Sequence, residues 1–167
     1  AVTLGFFVAY GAFAISSSLS ALSEIRQSQR QSDTVDDFVL DVSTLRSVLY
    51  RLMSLAATSS DEKQVSREAQ AVLERIKSFD RQAERLHDAV RTVGLDAALV
   101  ESTTRQVQVF LKKAAEIADM TETDPALALT LMGQTERAFD EAEKQITALH
   151  GAFTERENQH SQSLVDG

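Results

Sequence analysis

The chain has 167 residues, about one domain's worth, and a net charge of -8 from 17 basic against 25 acidic residues. That balance speaks against a nucleic-acid partner, because phosphate recognition rests on counterion release by Lys and Arg. With 43% hydrophobic residues, one proline and six glycines the chain is neither disordered nor wholly membrane-embedded and is free to be helical, and the lack of cysteine excludes disulfides, thiolate catalysis and Cys-ligated metal or haem.

Ala1–Ser23 carries no charge. Spanning a bilayer takes about 20 apolar residues, and the apolar run Ala1–Ile15 begins at the first residue, so Ala1–Ser23 is read as the end of a first transmembrane helix. Two alternatives stand beside the anchor: a secretion signal cleaved after Ala12-Phe13-Ala14, and a buried core helix. Register favours the anchor. Leu4, Val8, Gly11, Ile15, Ser18, Leu22 and Ile25 step by four and three straight through the cleavage point, and a helix destined to be cut there has no reason to keep phase. Gln29 and Ser32 continue the phase, and Val35 follows three residues on where four are due, a stammer that overwinds the coil locally. One continuous helix is expected to leave the membrane and enter the domain that fills 24–167. Arg26 and Arg30, just after the span, suit either a cytoplasmic side or snorkelling toward lipid phosphates.

Turn chemistry then divides the chain into helices over about 24–58, 61–93, 96–121 and 125–164. Ser59 with Glu62 reads as a capping box. Gly94 suits a left-handed C-cap and Asp96 the next N-cap, while Asp124 suits N-cap with Pro125 at the first helical position. The first helix carries a seam of Val35, Phe38, Val42, Leu45, Leu49, Leu52 and Ala56, in alternating steps of three and four. The second repeats it from Val65 through Ala69, Val72, Ile76, Phe79, Ala83, Leu86 and Val90 to Val93. The third reads weaker, with Leu99, Phe110, Ala114 and Ile117 interrupted by Thr103 and Gln106. The fourth has a broad stripe of Leu131, Ala138, Phe139, Ala142, Ile146, Leu149 and Phe153. Connections this short force antiparallel neighbours, so the expected fold is all-α, an up-down-up-down antiparallel four-helix bundle of left-handed sense.

Little in the chain points to chemistry. Glu84 and His87 form half of a di-iron ExxH signature, but a ferritin-like site needs two such motifs and two further glutamates. His150 falls at a similar height, with Thr147 rather than a glutamate three residues before it. His160 lies in a polar tail. No phosphate loop, HExxH motif or nucleophile elbow occurs. Neither an enzyme, a metal nor a cofactor is expected.

The binding candidates are Arg46 and Arg51, within LRSVLYRLMSLAATSS. Neither has an acidic residue three or four positions away, whereas Arg105 has Glu101, Arg137 has Glu141 and Lys144 has Asp140. A planar guanidinium fork matches a carboxylate. Five residues separate the two arginines by about 140° around the helix, so one helix does not aim both at one small ligand, while two helices of a twofold dimer do. Val39, Val48, Met53 and Leu55 flank the main seam and widen the stripe enough for a partner subunit. The alternative reading is that Arg46 and Arg51 make ion pairs with Glu or Asp of the other three helices. Tyr50 completes the candidate cluster on the first helix. Thr130, Met132 and Thr135 lie at the same height on the fourth helix, where threonines serve either a ligand or their own helix carbonyls.

A membrane helix running into an acidic four-helix bundle, with a polar GAFTERENQHSQSLVDG end, resembles the periplasmic sensor region of bacterial methyl-accepting chemotaxis receptors. Sensor histidine kinases and membrane diguanylate cyclases carry similar bundles. The resemblance implies a homodimer in the bacterial inner membrane with this domain in the periplasm. It further implies a small anionic or amino-acid-like ligand held by Arg46 and Arg51 across the dimer interface. In the aspartate and serine receptors of that family a further arginine follows four residues on. Leu55 stands there instead, which speaks against a dicarboxylate such as aspartate and leaves a monocarboxylate or another anion open.

Overall fold

The computed structural model describes the backbone of residues 2–59 and 61–165, and the side chains of Arg26, of 29–59, 61–91 and 94–159, and of Gln162. Among these residues there is no strand. Four helices follow one another: α1 (Val2–Thr58), α2 (Glu62–Val93), α3 (Ala97–Thr123) and α4 (Pro125–Val165).

The helix ends follow from their caps. Gly94 adopts φ 72°, where an L side chain is strained. Its N–H reaches Arg91 O at 3.2 Å while Leu95 N reaches Val90 O at 3.3 Å, a Schellman ending for α2. Asp96 Oδ1 accepts from Ala98 N at 2.9 Å and starts α3. Asp124 Oδ1 accepts from Leu127 N at 3.0 Å, with Pro125 opening α4. At the first turn the expected capping box gives way to a different cap. Asp61 holds the N–H groups of Lys63 and Gln64, and Ser59 Oγ instead accepts from Asp61 N at 3.0 Å. An ionised carboxylate at the positive end of a helix outcompetes a hydroxyl for that role.

The seams of α1 and α2 are buried as their spacing requires, with Ala56, Ile76 and Ala83 half-exposed, and Val93 outside the described side chains. α3 is less interrupted than its sequence suggests. Val100, Thr103, Val107, Phe110, Leu111, Ala114, Ile117, Ala118 and Thr121 are all buried. Thr103 fits there because its single hydroxyl proton has two carbonyls in range, Leu99 O of its own helix at 2.9 Å and Gln145 O of α4 at 3.3 Å. In α4, Ala128, Met132 and Thr135 extend the apolar stripe. Thr135 Oγ1 likewise bonds Leu131 O.

Each helix touches the other three, and sequence neighbours pack more extensively than the diagonal pairs. Phe38 meets Phe79 edge to face at 6.1 Å between α1 and α2, and Phe110 meets Phe139 at 5.3 Å between α3 and α4. Polar side chains mark how the helices align. Along α1 and α2, Asp41 accepts from Arg75 and Gln82, and Arg51 pairs with Glu68. Along α1 and α4, Asp36 meets His150 and Arg46 meets Glu136. Ser102 with Gln145, and Lys113 with Gln134, align α3 and α4. In every one of these pairs of helices, numbers rise along one member as they fall along the other.

Among the described residues no helix carries a segment long and apolar enough to cross a membrane. The expected anchor, Ala1–Ser23, lies outside the residues whose side chains are described.

Candidate functional site

Arg46 sits on α1 beside the buried Leu45 and Leu49, so its side chain leaves the helix at the edge of the core. There it meets α4. Arg46 Nη2 donates to Glu136 Oε2 at 2.6 Å and Nε to Glu136 Oε1 at 3.3 Å, a two-pronged bond from a guanidinium to one carboxylate. Beneath the guanidinium lies the ring of Phe139, one turn further along α4, with the Arg46 Cζ 4.3 Å from the ring centre. Phe139 is buried and braced by Phe110, so the platform under Arg46 is part of the core. The Arg46 and Glu136 side chains keep 35% and 24% exposure, which leaves the pair open to solvent from one side.

Tyr50 lies one turn along α1 from Arg46, half out of the protein, its ring centre 6.0 Å from the guanidinium. Hydrogen bonding to the Glu136 carboxylate raises the Tyr50 pKa above its ordinary value, burial and the carboxylate charge act the same way, and Arg46 opposes them. The hydrogen bond to Glu136 also raises the pKa of Arg46, with burial working against it. Three side chains, Arg46, Tyr50 and Glu136, therefore form one coupled polar cluster at the α1–α4 groove.

Arg51 does not join it. Its Nη2 bonds Glu68 Oε2 of α2 at 2.6 Å, and 66% of its side chain is exposed. The angular offset read from the five-residue spacing has sent the two arginines to different neighbours. Thr130 is exposed and its hydroxyl donates to Ala126 O at 3.0 Å, the self-helix bond that was one of its two readings. Of the residues offered to a partner subunit, Val39, Val48 and Leu55 are half-exposed at the rim of the core. Met53 is placed differently from these three. It is buried in the chain's own core with its sulfur 3.6 Å from Thr121 Oγ1, because it faces the groove between α1 and the end of α3.

The remaining polar features are separate. Arg105 pairs with Glu101 as its spacing predicts, whereas Arg137 with Glu141 and Lys144 with Asp140 form no ion pair. His87 is exposed, and His150 Nε2 lies 2.9 Å from Asp36 Oδ1. No three His, Asp or Glu side chains among the described residues converge on a point that could hold a metal. A cleft of about 950 Å³ opens between the α1–α2 and α3–α4 turns, walled by Asp61, Lys63, Arg67 and Glu122 among others. A second, of about 360 Å³, lies between α1 and α2 beside Asp37, Asp41, Gln82 and Arg85. None of Arg46, Tyr50, Arg51 and Thr130 lines either cleft.

Glu136 and Glu68 are the residues that reading the sequence alone missed. A search for partners three and four positions away cannot find them. The pairs 36 with 150 and 46 with 136 share one register to within about a turn, and only that cross-helix register brings Glu136 to Arg46. No family model, no curated protein and no solved structure matches this chain.

Proposed function

We propose that this chain is the extracytoplasmic ligand-sensing domain of a dimeric bacterial transmembrane receptor, most like a chemotaxis receptor. It is an up-down-up-down antiparallel bundle whose first helix continues from a membrane anchor at Ala1–Ser23. The observation that carries the reading is the Arg46 cluster: a preorganised guanidinium fork, resting on an aromatic face and open to solvent, between the first and last helices. A rigid, continuous helix passes a displacement along its axis, and a ligand that binds two arrangements of α1 and α4 unequally shifts the balance between them. The descending numbers in the cross-helix pairs support the antiparallel arrangement, and the uninterrupted backbone of α1 from Val2 supports the rod.

A structural reading competes on one specific observation. Both arginines already have acidic partners, Glu136 and Glu68, as they would in a membrane-tethered spacer or protein-docking bundle, or in the sensor region of a histidine kinase or diguanylate cyclase with another ligand. Thermal unfolding of the purified chain against amino acids, organic acids and aromatic acids separates the two, because stabilisation follows occupancy. Sensing predicts an acid that raises the Tm of the parent but not of Arg46→Ala. A panel in which no compound acts through Arg46 favours the spacer.

A further inference from the structure

We infer that Arg46, Tyr50 and Phe139 form a binding site for a single carboxylate whose resident occupant is the chain's own Glu136. An outside monocarboxylate therefore binds by displacing Glu136 and loosening α4 from α1. This rests on the sensing reading of Arg46 and specifies what the ligand must do there.

The geometry is that of a filled site. Phe139 lies under the guanidinium, two guanidinium nitrogens engage one carboxylate, and the Tyr50 ring stands 6.0 Å from the same guanidinium. The Arg51 pair has none of this: its contact is one nitrogen to one oxygen, and it is two-thirds exposed. Glu136 hangs on a flexible side chain and is reachable from solvent, so it can leave while Arg46 stays on its ring. The surface one turn along α4 is also open. A Cβ built on Gly133 meets no atom within 4 Å.

A tethered competitor sets the specificity. A group on a short flexible link acts at an effective concentration on the order of mM, so an acid whose carboxylate is its sole contact loses to Glu136. The winning ligand adds an apolar body that lies along the exposed Tyr50 ring. It carries one carboxylate, because Arg51 reaches toward Glu68 of α2 and so leaves the α1–α4 groove with a single arginine from this chain.

The test vacates the fork. With sodium chloride as the matched control, sodium acetate and sodium benzoate at 100 mM are added to the parent, to Glu136→Ala, to Glu136→Gln and to Arg46→Met combined with Glu136→Ala. Thermal unfolding is followed together with isothermal titration. Both single Glu136 variants should gain several degrees from either salt of the acid, and bind benzoate at least tenfold more tightly than the parent. The double variant should gain nothing beyond the chloride control. If the Glu136 variants respond no more than the parent, or the double variant responds equally, the inference is overturned. The two ideas fail separately. An acid that stabilises the parent through Arg46 while Glu136→Ala and Glu136→Gln bind it no better leaves sensing intact and removes Glu136 as its gate. Rescue of the Glu136 variants without any parent ligand keeps the site and withdraws the sensing role.

Discussion

The Arg46 guanidinium of α1 lies over the face of Phe139 of α4, 4.3 Å from its centre, while both prongs of its fork hold Glu136 on the preceding turn. Packing and charge are thus joined at one point, and their contributions are separable. Removing Arg46 loses a half-exposed ion pair and a ring contact, about 1–2 kcal/mol together. Phe139→Ala opens the core between α3 and α4 and costs about 3–5 kcal/mol. Urea midpoints should rank the variants in that order. A double-mutant cycle with Arg46→Met and Phe139→Leu should return a coupling of about 0.5–1 kcal/mol. A coupling of zero would mean that the ring is only a neighbour.

The Tyr50 phenol gives the cluster a pH signature. Its pKa is raised from the ordinary 10.0, first by hydrogen bonding to Glu136, so the folded state holds this proton more tightly than the unfolded chain. The resulting stabilisation is whole below the unfolded value and is lost as pH rises through the higher folded one. Phenolate absorbance, taken as the parent minus Tyr50→Phe, should therefore develop above pH 10. In Glu136→Gln it should move back toward 10.

Two glycines should respond to alanine with opposite signs. Gly94 sits at φ 72°, with the nearest atom to a built Cβ at 3.9 Å, so Gly94→Ala is opposed by the backbone rather than by a clash and costs about 1–2 kcal/mol. Gly133 lies within α4 with open space around it, and Gly133→Ala should stabilise by about 0.5–1 kcal/mol. Thermal melts of the two variants are a direct check.

The cap of α2 is the carboxylate of Asp61. Asp61→Ala should cost about 1 kcal/mol, while Glu62→Ala, which removes the partner a capping box would need, should change stability by less than about 0.5 kcal/mol. Equal losses from the two would restore the box.

The helices were legible because their signals are local. Gly94, Asp96 and the Asp124-Pro125 pair each act within one turn of themselves, and the seams of α1 and α2 repeat without a polar break. α3 was harder to read because Thr103 looks polar in sequence and becomes a core residue only when a carbonyl takes its proton. The spacing of Met53 does not distinguish a flank of α1 that faces another subunit from one that faces the end of α3, where Thr121 meets its sulfur. The site was half legible. Unpartnered arginines stood out on α1, but Glu136 and Phe139 are about 90 residues away in sequence and reach Arg46 through tertiary register alone.

The central claim is that α1 begins in a membrane and carries the bundle to its outer face. Because these 167 residues hold no cysteine, Thr58→Cys at the exposed end of α1 places a single thiol within them, at the opposite end of α1 from Val2. In spheroplasts expressing the full protein, with any cysteine outside these 167 residues replaced by serine, a membrane-impermeant maleimide should label this thiol without lysis. The labelled protein should stay with the membranes through an alkaline carbonate wash. Labelling that requires lysis, or release of the protein into the wash, would contradict the account.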